Sequence, residues 1–176
     1  MPTAGMETTA YIFNRKELSI TKDGTNNVIV TNLELEEGDL GYKILGYKMN
    51  MNAGHDAVIA ADAPNRYTHY FSFHGYEIDS DAVSNIDALE DLVIVVERKE
   101  KGLDGSFILY GADAGLSTSS DTLRMNDANS VRQIELQTPE GSTEKHSQYN
   151  VVKPDATSTY AATKALLDSL VTPPAE

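Results

Sequence analysis

Apolar and polar residues alternate along much of the chain, and this pattern predicts a protein built mainly of β-strands. Tyr67, His69, Phe71 and Phe73 alternate with more polar neighbours, as expected of an antiparallel strand with one buried face. The segment 92–99 begins with an almost unbroken apolar run. This run predicts a strand that is buried on both faces at its start.

The same criterion predicts further strands at 11–13, 28–35, 40–51, 107–110, 116–125 and 131–138. In the segment 40–51 the apolar parity switches at Gly46, as a β-bulge would produce. We therefore expect one long bent strand there, with two strands joined at Leu45-Gly46 as the alternative. The glycine-containing turn at 101–105 predicts an antiparallel hairpin between the strands on either side of it.

Two segments have helical periodicity. Ser80 or Asp81 can cap a short internal helix that ends near Leu89. The second helix closes the chain, where TSTYAATKALLDSLV places its apolar residues on one stripe before two prolines. The stripe consists of Tyr160, Leu167, Leu170 and neighbouring alanines.

These elements predict a single domain over 1–176, with an irregular N-terminal arm (1–10) and a C-terminal tail (172–176). The strands do not alternate regularly with helices, which disfavours a parallel sheet. The predicted fold class is therefore mainly β (α+β): an antiparallel β-sandwich or open barrel with one short internal helix and a C-terminal helix at its side.

The net charge of the chain disfavours two classes of function, nucleic-acid wrapping and membrane docking. There are 27 acidic and 14 basic residues, a formal net charge of −13, which argues against wrapping nucleic acid or docking on anionic membrane. The absence of cysteine excludes disulfide frameworks and thiolate metal sites. No signal-peptide pattern or long apolar run is seen, so we expect a protein made in a cytoplasm that stays there or in an assembly built there.

The stretch GADAG at 111–115 follows an apolar run, as a phosphate-binding loop would. A Walker loop needs a lysine directly after its glycines, and the next lysine is Lys145. The following STSSDT is typical of extended backbone, and Asp113 adds a negative charge where phosphate would lie. We predict instead a strand that ends in a tight glycine turn. Replacing Gly111 or Gly115 with valine should then impair folding or assembly.

The histidines could suggest a metal site. His69 and His74 are five residues apart, so on one regular strand their side chains point to opposite faces. His55-Asp56 resembles a ligand pair of metal phosphohydrolases, but 52–64 is predicted as a loop without the further ligands that such a site needs. We predict that His69 is a hydrogen-bonded, partly buried side chain rather than a ligand.

Carboxylates do not form a recognisable site either. Asp79 and Asp81 could begin a calcium loop, but Val83 and Ser84 occupy the positions of the fifth ligand and the glycine. The two acids are better explained as charges at a helix N-terminus. No nucleophile–histidine–acid set can be identified. The sequence therefore predicts a protein that is not an enzyme, with no catalytic, cofactor-binding or metal-binding residues.

Three runs resemble virion structural proteins of the tail-tube type from tailed bacteriophages that infect Bacteroidetes. They are FILYGADAGLSTSS, NSVRQIELQTPEGSTEKH and TYAATKALLDSL, and the resemblance covers about 92–170. It implies a sandwich or barrel with a flanking helix, joined side by side into rings, commonly of six, that stack into a tube in the virion tail. It transfers no residue roles. An acidic lumen would let DNA pass without specific binding.

The leading hypothesis is thus a tail tube subunit that contacts itself and other virion proteins. A capsid decoration or head-tail joining protein is the nearest alternative. A ligand- or carbohydrate-binding β-sandwich is suggested by the nine tyrosines, of which Tyr67, Tyr70 and Tyr76 cluster. An enzyme with a metal site built from His55, Asp56 and His69 ranks last. We also expect the predicted loops 34–39 and 52–65 to become ordered on contact with neighbouring subunits.

Overall fold

A computed structural model of the chain describes residues 5–45, 51–75, 87–99, 106–126 and 131–171. The strands are β1 (Met6–Asn14), β2 (Leu18–Lys22), β3 (Ile29–Leu35), β4 (Tyr42–Leu45), β5 (Met51–Val58), β6 (Arg66–Gly75), β7 (Leu92–Arg98), β8 (Phe107–Tyr110), β9 (Ser117–Thr122), β10 (Arg132–Gln137) and β11 (Tyr149–Val151). The helix is α1 (Thr159–Val171).

The strands form two sheets, as predicted for a β-sandwich. A seven-stranded sheet has the order β2-β3-β11-β8-β7-β1-β4, and a four-stranded sheet has the order β5-β6-β10-β9. All pairings are antiparallel except that of β11 with β3. The seven-stranded sheet is called the large sheet below, and the four-stranded sheet the small sheet.

Two apolar layers hold the fold together, one on each face of the large sheet. The first fills the space between the sheets and includes Ile94, Phe71 and Leu136. The second lies between the large sheet and α1, where Leu167 of the helix is fully buried beside Val95. Because β7 contributes to both layers, it is buried on both faces, as its apolar run predicts.

Polar contacts fix α1 on the large sheet. The Tyr11 hydroxyl of β1 donates a hydrogen bond of 2.7 Å to the Asp168 carboxylate, and Lys43 of β4 bonds the same carboxylate at 3.1 Å. At the other end of the helix, the Lys153 N–H donates to the buried Thr163 hydroxyl at 2.9 Å. No helix in the described part of the chain is long and apolar enough to span a bilayer.

Several sequence predictions are confirmed. Strands β7 and β8 pair as an antiparallel hairpin, with Ile94 opposite Tyr110. On β6, His69, Phe71 and Phe73 are buried while their neighbours are more exposed. The C-terminal helix also forms as predicted, and Leu167 is its buried centre. The turn at 101–105 and most of the predicted internal helix (80–89) lie outside the described residues.

Other predictions are wrong or incomplete. The predicted loop 52–65 is a strand over its first half, because β5 continues to Val58 and pairs with β6. The predicted strand 40–51 belongs to both sheets: β4 pairs with β1 in one and β5 begins the other, while 46–50 lies outside the described residues. The predicted arm 1–10 contributes to β1, which begins at Met6.

We expect Leu167→Ala to destabilise the fold by about 3 kcal/mol, because the change removes a fully buried side chain from the only described helix and leaves a cavity. Urea unfolding followed by circular dichroism measures the effect. Leu166→Ala is the matched control, since Leu166 is partly exposed on the same turn, and it should cost less than about 1 kcal/mol. Equal losses in the two variants would contradict the packing described for α1.

Candidate functional site

The glycine turn after β8 has the backbone conformation that the sequence predicts. Gly111 and Gly115 have φ angles of +89° and +75°. A residue that has a Cβ adopts such positive φ angles only with strain. The Gly115 N–H donates to the Gly111 carbonyl at 2.9 Å and closes the turn. Gly115 is also packed tightly, because a Cβ there would lie 2.2 Å from Oδ1 of Asp91.

The amides of this turn do bind an anion, but the anion belongs to the chain itself. The N–H groups of Asp113 and Ala114 each donate a hydrogen bond of 2.9 Å to the carboxylate of Glu144. Glu144 is completely buried, and its own backbone pairs with Tyr67 of β6. The turn therefore joins the two sheets through a buried carboxylate and has no room for a phosphate.

A second carboxylate lies beside the first. The Asp113 carboxylate accepts hydrogen bonds from the Lys145 N–H at 3.0 Å and from the Tyr149 hydroxyl at 3.2 Å. Burial raises the pKa of Glu144 to about 7 in spite of its two backbone donors. Burial also opposes the ionisation of Asp113, but the hydrogen bonds from Lys145 and Glu144 outweigh it and hold the pKa of Asp113 below its usual value. The pair is thus arranged to share one proton.

His69 completes this buried cluster. Its Nδ1 accepts a hydrogen bond of 3.0 Å from the Gly111 N–H, and its Nε2 lies 2.7 Å from the His146 carbonyl, to which it donates. Burial lowers the pKa of His69, which favours the neutral ring that this pattern requires. The prediction of a hydrogen-bonded histidine is confirmed, although His69 is fully rather than partly buried.

The candidate metal ligands that the sequence analysis considered and rejected do not gather around His69. His55 lies opposite it in the β5–β6 pairing, but His55 is exposed and packs edge-on against the Tyr67 ring. Both ring nitrogens of His69 are already used. Within the described ranges no three His, Asp or Glu side chains are close enough to hold a metal ion. The Asp79 and Asp81 positions lie outside those ranges.

The tyrosines do not form a shared binding platform. Tyr67 and Tyr70 are three residues apart on β6 and so face opposite sides of the small sheet, and Tyr76 lies outside the described residues. A shallow groove of about 650 Å³ lies near them. Its lining is rich in hydroxyl and amide groups, from Thr68, Ser117, Thr118, Ser119, Gln137, Thr138, Ser142 and Thr143.

The small sheet has two edge strands, of which β9 is contacted at its start by the segment before β7: the Asp91 N–H donates to the Ser117 hydroxyl at 3.2 Å, and the Thr118 hydroxyl donates to the Leu89 carbonyl at 3.0 Å. Strands β5 and β9 each pair on one side only, and neither contains lysine or proline, the residues that commonly guard sheet edges. The edges of the large sheet differ. Strand β2 carries Lys22 and β4 carries Lys43, and the Gly41 N–H before β4 bonds the Leu170 carbonyl of α1.

The solvent-facing side of the small sheet, called the outer face below, is polar and almost free of cations. It consists of Asn52, Gly54, Asp56, Val58, Arg66, Thr68, Tyr70, Ser72, His74, Gln133, Glu135, Gln137, Ser117, Ser120 and Thr122. Arg66 is its one arginine and it has no lysine. Such a face can neutralise few phosphate charges.

Comparison with known proteins adds no further constraint on function: no family model, curated protein or solved structure matches the chain.

Proposed function

We propose that the chain is a non-enzymatic structural subunit of a phage virion, a tail tube protein. Its copies join edge to edge into rings of six subunits, as the resemblance to tail-tube proteins implies, and the rings stack around a DNA conduit. The observation that carries the proposal is the pair of edge strands, β5 and β9, which lie on opposite sides of the small sheet and contain neither lysine nor proline. The resemblance in 92–170 supports the assignment to a tail tube.

The directions of these two edges suit a closed ring. Each pairing from β5 through β6 and β10 to β9 is antiparallel, so β5 and β9 run in opposite directions. When copies are related by rotation about an axis along the strands, β9 of one copy meets β5 of the next in the antiparallel sense. This contact is heterologous, and rotation can close it into a ring that leaves no free edge in the small sheet.

The outer face supports a role as the wall of a conduit. Affinity for DNA grows with the number of phosphates that lysine and arginine neutralise, and this face has Arg66 alone against Asp56 and Glu135. The net charge of −13 acts in the same direction. DNA would pass such a surface without being held.

The alternatives predict different behaviour. A capsid decoration or head-tail joining protein would bind capsids or head-tail connectors without forming tubes. A ligand-binding sandwich is favoured by one observation, the hydroxyl-lined groove, and it predicts a rise in melting temperature with sugars.

We expect the purified chain at high concentration to form rings or hollow tubes in negative-stain electron microscopy. Replacing Ser120 and Thr122 on β9 together with lysine should abolish them, because edge lysines oppose strand pairing. Both side chains lie on the outer face, so the fold should be retained. A strictly monomeric wild-type chain would overturn the proposal.

The matched control places the same charges on the edge of the large sheet. Ser19 and Thr21 are exposed, alternate residues of β2, and their double replacement with lysine should leave the rings intact. Loss of rings in this variant, with rings retained in the β9 variant, would assign assembly to the large sheet and contradict the proposed edge pairing.

A further inference from the structure

A slot opens between the two sheets where the small sheet ends at β5. It has a volume of about 330 Å³. Val96 and Ile108 form an apolar floor on the large sheet, and Asn52 and Ala53 of β5 form the opposite wall. This volume is at the lower end of the range for small-molecule sites. We call it the β5 slot.

The Tyr110 hydroxyl is a polar group without a partner in this slot. Tyr110 is 5% exposed and lines the slot. Its ring packs against His69, while no hydrogen bond is formed by its hydroxyl in the described structure. Every fully buried polar side-chain atom that is described has a hydrogen-bond partner, so the hydroxyl is reached from the slot. A phenol in this position is available as a donor.

A positive charge also lines this slot. Arg98 lines the same slot, and although burial raises the pKa of Tyr110, the Arg98 charge acts in the opposite direction. A guanidinium has five N–H donors and can bind a second acceptor beside an existing partner. A guanidinium and a phenolic hydroxyl together match the two oxygens of a carboxylate.

We propose that the β5 slot binds a carboxylate of a small, partly polar molecule or side chain, with Arg98 and Tyr110 as its donors. The single guanidinium suits one negative charge better than the two of a phosphate. Two sources present this chemistry: a free small carboxylic acid, and an aspartate or glutamate side chain of a second copy of this chain. The slot adjoins the free edge of β5, so a second copy can reach it.

The test measures melting temperature and ¹⁵N-amide shifts of the full chain with propionate, with propionamide as the uncharged isostere and chloride to match ionic strength. Propionate should raise the melting temperature and shift amides around the slot, whereas propionamide should not. Tyr110→Phe keeps the ring and removes one donor to a charged group, so its propionate affinity should fall about tenfold. Tyr42→Phe, at an exposed tyrosine remote from the slot, should bind as the wild type does.

Sedimentation in the same solutions distinguishes the two sources. If the carboxylate belongs to a second copy, propionate and Tyr110→Phe should both weaken self-association. If it belongs to a free acid, propionate should bind without changing the sedimenting mass. Absence of any response to propionate, or equal propionate affinity in Tyr110→Phe and the wild type, would overturn the proposal. Neither result depends on whether the chain forms tubes.

Discussion

Gly115→Ala is expected to destabilise the protein by about 3 kcal/mol or more, a large share of the roughly 5–15 kcal/mol by which ordinary domains are stable. Two effects add together. Alanine is strained at a φ of +75°, and its Cβ would lie 2.2 Å from Oδ1 of Asp91. Asp91 cannot yield easily, because it holds Arg15 through two hydrogen bonds of 2.6 and 3.2 Å. Urea unfolding monitored by tyrosine fluorescence measures the loss.

Gly141→Ala is the matched control for backbone strain alone. Gly141 has a φ of +83°, but no atom lies within 4 Å of the position that a Cβ would take. We expect a cost of about 1 kcal/mol there. If the two alanine variants lose equal stability, the packing of Gly115 against Asp91 contributes nothing and the proposed cause is wrong.

The parts of the fold that were predicted from sequence are those whose signal is local. Strand β6 is buried on one face only, so its alternation is visible in the sequence. Strand β7 is buried on both faces and therefore appears as a continuous apolar run. The α1 stripe around Leu167 has helical spacing. Each of these signals follows from burial within a single segment.

The elements that were missed depend on distant partners. Strand β11 is only three residues long, and it is a strand because it lies between β3 and β8. Strand β5 is exposed over its second half, so it lacks the apolar alternation that would have identified it. Strand β3 was predicted, over 28–35, but a shift in register beside Thr31 places Val30 and Leu33 in the same apolar layer, which a strict two-residue period does not produce.

The buried cluster shows the same limit. The sequence identified Gly111 and Gly115 because the positive φ that a tight turn requires is a local property of the chain. It also identified His69 as a hydrogen-bonded side chain. It gave no sign of Glu144, which lies outside every predicted strand and helix and meets the turn amides only when the chain folds. The sequence did contain a signal for the neighbouring strand β11: Tyr149 and Val151 are apolar and alternate with a polar residue, and both are buried in the structure.

Glu144→Gln is expected to abolish a pH dependence that the wild type shows. Because burial raises the pKa of Glu144 to about 7 from its usual 4.5, the folded chain binds more protons than the unfolded chain between these values. This contribution to stability is complete below about pH 4.5 and is lost as the pH rises through about 7. The expected loss is about 3 kcal/mol. Glutamine imitates the protonated form of the side chain and does not ionise. The stability of the Glu144→Gln variant should therefore not fall over this pH range through ionisation at residue 144.

The measurement is the free energy of unfolding of both proteins in urea from pH 5 to pH 8. Other groups also titrate there: the pKa of His69 is lowered by burial, so its contribution rises with pH and opposes that of Glu144. The difference between wild type and variant removes the histidine contribution, which both proteins share.

Glu140→Gln is the control: it changes an exposed carboxylate in the same segment and should leave the dependence of stability on pH unchanged. A wild-type advantage over Glu144→Gln that does not shrink as pH rises would show that Glu144 is ionised throughout, held by the Asp113 and Ala114 amides alone.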